Sequence, residues 1–264
     1  MDLKLSGRIA LVTGASKGIG LAIARALARE GCQLYLVART RVDLDAAAAA
    51  ITRDFGVEAV AHAADLSRSA DIRTVAQACQ DIDILVNCAG GIPMGTIDEV
   101  DEERWRRAWD LKVFGTINLT REVYGPMCRR GRGVIVNIVG VAGKRPDANY
   151  IAGGTANAAL IMFSRALGGD SIRHGVRVVA VNPGPVETDK LEGDARRRAG
   201  QRFGDPERWR EIFAGLPMRR AASTDEIAGL VAFLASDHAA YISGVDIDVD
   251  GGMLADAALG VKRG

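Results

Sequence analysis

The sequence predicts an α/β protein built on one doubly wound parallel sheet of seven strands. Three observations carry that expectation. From Arg8 onward, short β-branched or aliphatic runs alternate with longer Ala/Leu-rich amphipathic stretches, the pattern of repeated βα units. A glycine-rich turn joins the first such pair. The 264 residues, 48% hydrophobic and 25% charged, have ordinary globular composition and suit a single α/β domain over 1–264.

Apolar runs place the strands at 9–12, 34–37, 57–61, 82–86, 134–138, 176–181 and 245–249. Amphipathic stretches place helices at 19–29, 42–54, 70–79, 102–127, 151–172 and 224–235. The last opens on Ser223-Thr224-Asp225-Glu226, a capping box in which the Ser223 hydroxyl and Glu226 carboxylate satisfy each other's backbone donors. Residues 187–217 break the alternation. Their arginines, Arg196 and Arg210 among them, are balanced by carboxylates such as Glu192 and Glu207, so the segment reads as a small substrate lid with a solvated helical face.

With 34 Lys+Arg against 33 Asp+Glu, the chain lacks the basic footprint of a nucleic-acid partner. The longest stretch free of charged residues and histidine, 148–164, is shorter than the roughly 20 apolar residues of a membrane span and contains Gly153, Gly154 and Asn157. No basic-then-apolar leader opens the chain, so a cytoplasmic protein without a membrane partner is expected. Cys32, Cys79, Cys88 and Cys128 are too scattered for a zinc knuckle or disulfide framework, and His62, His174 and His238 lack ligand spacing; no metal is expected.

The strongest local signal is Thr13-Gly14-Ala15-Ser16-Lys17-Gly18-Ile19-Gly20, between an apolar strand and an Ala/Leu helix. Glycine there lets the backbone turn sharply and approach a pyrophosphate, while the helix N-terminus offers free N–H groups and positive potential. An acidic residue closing the second strand would bind the ribose hydroxyls of NAD, whereas a cation accommodates a 2′-phosphate. Ala38-Arg39 stands there and Lys17 adds a second cation, which favours NADP(H) over NAD(H); the alternative is that both are surface charges.

The motif T-G-x-x-x-G-I-G resembles that of the short-chain dehydrogenase/reductase family. The resemblance covers nearly the whole chain: Asp65-Leu66, Asn87-Cys88-Ala89-Gly90, Asn182-Pro183-Gly184 with Thr188 beyond, and Ser243-Gly244 before Asp250-Gly251-Gly252. It implies a Rossmann-like fold whose cofactor is held by Gly14, Ser16, Lys17, Gly18, Ile19, Gly20 and Arg39. It further implies Asp65 and Leu66 at the adenine, Asn87, Ala89 and Gly90 supporting the sheet and ribose, and Pro183, Gly184, Val186 and Thr188 around the nicotinamide carboxamide. By the same resemblance the helices at 102–127 and 151–172 form a homodimer, and 255–264 completes a homotetramer.

The family's catalytic pattern breaks in this chain. Members carry a Tyr four residues before a Lys, a Ser thirteen residues before the Tyr, and an Asn on the preceding long helix. Aligned outward from Ala158-Ala159-Leu160, the Lys falls on Asn157, the Tyr on Gly153 and the Ser on Gly140; counted from Trp105, the Asn falls on Lys112. Lys112 and Asn157 thus restore one ammonium and one amide from opposite helices. Tyr150, seven residues before Asn157, resembles the wider spacing of the enoyl-acyl carrier protein reductase branch and is the candidate proton donor. Lys112, Tyr150 and Asn157 are accordingly the candidate catalytic residues, and Asn157, where the family's ribose-binding Lys falls, is by that resemblance a candidate cofactor-binding residue as well. The bland alternatives are a snorkelling lysine, an asparagine capping local backbone and a tyrosine packed at a helix start.

Three functional readings follow: an NADP(H)-dependent oxidoreductase acting on a carbonyl or hydroxyl group of a small-molecule substrate through a non-standard site; an NADP(H)-binding pseudoenzyme or sensor; and a non-redox lyase using Lys112 as base or Schiff-base nucleophile.

Overall fold

The computed structural model describes residues 2–256, so the expected tetramer segment lies outside the described residues except for Ala255 and Asp256. Seven parallel strands form one sheet: β1 (Ile9–Thr13), β2 (Gln33–Ala38), β3 (Ala59–Ala63), β4 (Ile84–Asn87), β5 (Gly133–Ile138), β6 (Val176–Pro183) and β7 (Val245–Val249), in the order β3-β2-β1-β4-β5-β6-β7. The chain winds outward from β1 through β3, returns to β4 on the other side of β1, and winds outward again. Ligands of such sheets lie beyond the strand C-termini at this switch point.

Helices α1 (Gly18–Arg29), α2 (Arg41–Phe55), α3 (Ser69–Ala78), α4 (Glu102–Trp109), α5 (Gly115–Arg130), α6 (Ile151–Ser171), α7 (Asp189–Phe203) and α8 (Thr224–Ala235) accompany the strands. One apolar cluster joins α1, α2 and α8 to the sheet and another joins α3 and α5 to its opposite face. β4, β5 and β6 are buried along their whole length, as central parallel strands must be. The capping box at Ser223 and Glu226 forms as expected.

Three expectations need correction. The helix expected at 102–127 is two helices separated by a π-helical turn, Asp110–Phe114, which absorbs one extra residue and so shifts the apolar period by a single position, a slip easily lost in a long amphipathic run. β3 begins two residues later than its apolar run, being the edge strand and only half buried. Within 187–217, α7 packs on a 3₁₀ segment, Pro206–Phe213, through Ala195, Ala199, Trp209 and Phe213, a small core concealed by the arginines around it. Those arginines do pair locally, Arg196 with Glu192 and Glu207 and Arg208 with Glu211.

A buried hydrogen-bond chain crosses the centre of the sheet. Asn87 Nδ2 donates to Asn137 Oδ1 at 2.8 Å and to Thr120 Oγ1 at 3.1 Å; Asn137 Nδ2 donates to Ser164 Oγ at 2.9 Å. It ties β4 and β5 to α5 and α6, all four side chains being nearly inaccessible. Asn137→Ala would leave one Asn87 amide proton without an acceptor and deprive Ser164 Oγ of its donor, although Thr120 and Leu160 still bind them; an unmatched buried group costs about 1–3 kcal/mol. A clear drop in the urea midpoint is expected, and a variant as stable as wild type would contradict this role.

Candidate active site

The turn after β1 is shaped by contacts rather than by sequence alone. Gly14 has φ 67°, and a β-carbon on it would stand 3.1 Å from Ala89 Cα; one on Gly20 would collide with the Gly14 carbonyl oxygen. Thr13 Oγ1 accepts from the Cys88 and Ala89 amides at 2.9 Å, locking the ends of β1 and β4 together. No side chain caps α1, and its first turn holds no carboxylate, so its leading amides and dipole are available to an anion. The donor set therefore fits a dinucleotide pyrophosphate at Gly14, Ser16, Gly18, Ile19 and Gly20.

Around this turn stand the other predicted cofactor residues. Asp65 follows β3 and Leu66 is buried beneath the start of α5, where a β-carbon on Gly115 would stand 2.8 Å from Leu66 O. Burial alone would raise the Asp65 carboxyl, but hydrogen bonds from Ser67 and the charges of Arg39 and Arg68 hold it below its ordinary value. Arg39 thus projects its charge over the same sheet end as Asp65, and Lys17 is exposed in the glycine turn. Asn87 spends its amide on the buried chain described above, leaving Ala89 and Gly90 to border the crevice. After β6, Pro183 and Val186 are buried, Val186 bridging to Ala222, and Thr188 caps α7 while its methyl group faces Gly18.

Two polar side chains meet at the exit of β5, and a third stands at the start of α6. Lys112 leaves the π-helical turn with its stem over Gly90, where a β-carbon would stand 3.0–3.2 Å from it, and its Nζ donates to Val139 O at 2.9 Å. Asn157, on α6 and 2% exposed, brings Nδ2 to 3.0 Å from the point where a β-carbon on the next residue, Gly140, would lie. Lys112 and Asn157 thus meet at consecutive residues from opposite helices. Tyr150 is the N-cap of α6, and its ring lies across Gly153 so closely that a β-carbon there would overlap Cζ and both Cε atoms.

The backbone around Tyr150 is fixed from two sides: Gly95 N donates to Asn149 O at 2.7 Å, and Trp109 Nε1 donates to Ala152 O at 3.1 Å. Burial pulls the Lys112 amine down to about 8, Cys88 opposing and Lys190 adding to it. It also pushes the Cys88 thiol up to about 12 and raises the Tyr150 phenol above its ordinary value.

Sequence reasoning missed Lys144. Its Nζ lies 2.5 Å from Asp246 and 2.7 Å from Asp248, and Asn182 Nδ2 donates to both carboxylates, tying the segment after Gly140 to β7. Burial would raise the Asp246 carboxyl, but Lys144, Arg165 and Asn182 outweigh it and hold it low. The signal was present: Val245-Asp246-Ile247-Asp248-Val249 sets two carboxylates on one face of a strand, which calls for a cation.

The short chain dehydrogenase family model matches residues 8–198, and the chain belongs to that family. It is therefore an oxidoreductase of a nucleotide-binding class that works on carbonyl and hydroxyl groups. An acetoacetyl-CoA reductase of Allochromatium vinosum is 35% identical over 260 residues, covering 93% of this chain and 98% of that protein. The crystal structure of L-sorbose reductase from Gluconobacter frateurii, complexed with NADPH and L-sorbose, is similar with a TM-score of 0.92 at 34% identity, covering 97% of this chain and 100% of that one. NAD+-bound xylitol dehydrogenase has a TM-score of 0.86 at 30% identity, covering 94% and 100%.

The overlap of Tyr150 with position 153 has a direct test. Gly153→Ala should destabilise the wild type by about 1–3 kcal/mol, the usual cost of overpacking, and cost far less in a Tyr150→Ala background. Equal costs in both backgrounds would mean that the ring does not hold that space.

Proposed function

We propose that the chain is an NADP(H)-dependent oxidoreductase that interconverts a carbonyl and a hydroxyl group on a small molecule through a rearranged site of Tyr150, Lys112 and Asn157. All four positions of the family's usual tetrad are replaced, by Gly140, Gly153, Asn157 and Lys112. One observation carries the reading: the Tyr150 ring lies where a side chain at position 153 would begin. The phenol thus starts from about one helical turn earlier than the family spacing supplies it and crosses the volume a side chain at 153 would use.

When bound, the dinucleotide would supply or accept a hydride at the substrate carbon. The Tyr150 hydroxyl would donate the proton that the carbonyl oxygen gains on reduction and recover it on oxidation. Its raised pKa keeps the phenol protonated through neutral pH, the form a donor needs. Lys112 spends one proton on Val139 O and retains others for an oxygen in the cleft. Charged below about pH 8, it would stabilise the developing oxyanion. Arg39 and Lys17 support the 2′-phosphorylated cofactor. For assembly we favour a homodimer or homotetramer, in keeping with exposed Phe114 and Met162 on neighbouring helices.

The lowered pKa of Lys112 also favours a second reading, a lyase working through a Schiff base. Borohydride reduction during turnover would then leave substrate bound to Lys112; under the main reading it leaves none.

Tyr150→Phe should lower kcat by about 10²–10⁴-fold, the usual contribution of a positioned proton donor, with NADPH affinity retained. Lys112→Met should abolish NADPH oxidation while sparing NADPH binding, and unchanged turnover would remove its assigned role. In wild type the reduction rate should fall as pH rises through about 8 and the ammonium is lost; a rate flat to pH 9 contradicts this. Arg39→Ala should weaken NADPH by about tenfold, near 1.4 kcal/mol, and leave NADH nearly unaffected in fluorescence titrations. Equal losses for both would exclude a 2′-phosphate contact.

A further inference from the structure

We infer that Asn157 is a catalytic hydrogen-bond donor to the reacting oxygen, acting from α6 in place of a side chain that position 140 cannot carry. The inference rests on the carbonyl–hydroxyl reading above and adds a residue role to it.

Three observations point to this role. Gly140 stands at φ 138°, ψ 144°, a conformation that a residue with a β-carbon rarely adopts, so the backbone itself excludes a side chain at the exit of β5. The Asn157 amide occupies the volume such a side chain would enter, with Nδ2 3.0 Å from the missing β-carbon. Finally, Asn157 is almost wholly buried while its Oδ1 meets no donor among the described residues, so the fold does not hold the amide by its oxygen; the donor role rests on Nδ2, which faces position 140. A buried amide with an empty acceptor carries the desolvation cost of that group without a folding return. Nothing in the packing of α6 asks for it, since Ala156 and Leu160 beside it fill the core with apolar atoms.

The amide is held where it would be needed. Gly143 packs against α6 so that a β-carbon would stand 2.8 Å from the Asn157 carbonyl carbon, and Lys144 anchors the following residue to β7. Gly140 and Asn157 therefore keep their separation without help from flexible side chains. A neutral amide donates at every pH, so it strengthens the hold on a carbonyl oxygen and leaves the pH dependence to Lys112. This also accounts for a serine-free site: with the amide in that volume, a hydroxyl side chain at 140 would have neither an allowed backbone nor room.

Two variants test the inference in the NADPH-loaded enzyme. Asn157→Leu keeps the approximate volume and removes both polar atoms; Asn157→Asp keeps the shape but, once ionised, has no proton to donate. Both should lose about 10²–10³-fold in kcat, the usual effect of removing one donor to a developing oxyanion. The ligand-free Tm of Asn157→Leu should equal or exceed that of wild type, because the unmatched acceptor is gone. Asn157→Asp should regain rate as pH falls and its carboxyl takes up a proton, which a packing role would not produce. Wild-type kcat in either variant overturns the inference. So does a ligand-free Tm lower by about 5 °C or more in Asn157→Leu, since the amide would then serve the fold. Failure of the underlying reading looks different: wild type reduces no carbonyl at all, and this inference falls with it.

Discussion

Three side chains in the cleft lie where a neighbouring residue has no β-carbon: Tyr150 over Gly153, Asn157 against Gly140 and Lys112 over Gly90. Packing at the exits of β4 and β5 is close, so each polar group sits more easily because the residue beneath it is glycine, and the Tyr150 ring fits only because residue 153 is one. This steric constraint governs the site. It pairs each polar residue with its glycine: a β-carbon at 153 would displace the Tyr150 ring, while one at 90 or 140 would press the Lys112 stem or the Asn157 amide aside by a few tenths of an ångström. Gly140 adds a backbone lock, its φ closing that position to most other residues.

The rest of the fold holds these pairs in register. The buried chain from Asn87 through Asn137 to Ser164 joins the strands on which Gly90 and Gly140 depend to the helix that carries Asn157. The π-helical turn interrupts the helix before α5 and carries Lys112 itself. From there the amine hydrogen-bonds the last carbonyl before Gly140 and sits in surroundings dry enough to bring its pKa to about 8. On the far side, Lys144 and the Asp246 and Asp248 carboxylates fasten the glycine segment to the edge strand. On the proposed reading, the free amides and cations at the β1 end serve binding, and Lys112, Asn157 and Tyr150 serve the chemistry.

Most of the architecture was legible because burial writes itself into sequence. β4, β5 and β6 read as continuous apolar runs, and Ser223 with Glu226 announced the start of α8. β3 was offset because an edge strand is only half buried and its apolar run extends into the preceding turn. The π-helical turn was missed because it shifts the apolar period by only one position within a long amphipathic run. Spacing gave Lys112, Tyr150 and Asn157 as candidates, but it could not give the overlap of the Tyr150 ring with Gly153, which depends on where a loop enters a helix. Nor could it give the ion cluster of Lys144, whose partners are more than 100 residues away.

The most direct test of a rebuilt site is a crystal structure with NADP+ bound, in which the distances from the Tyr150 hydroxyl and the Lys112 amine to the open face of the nicotinamide C4 are read. The account predicts that both lie within roughly 3–4 Å of the position a substrate oxygen would take, the reach of a proton-transfer or oxyanion contact. If both point away and only glycines and Asn157 surround the nicotinamide, the account is contradicted and a cofactor-binding protein without turnover takes its place.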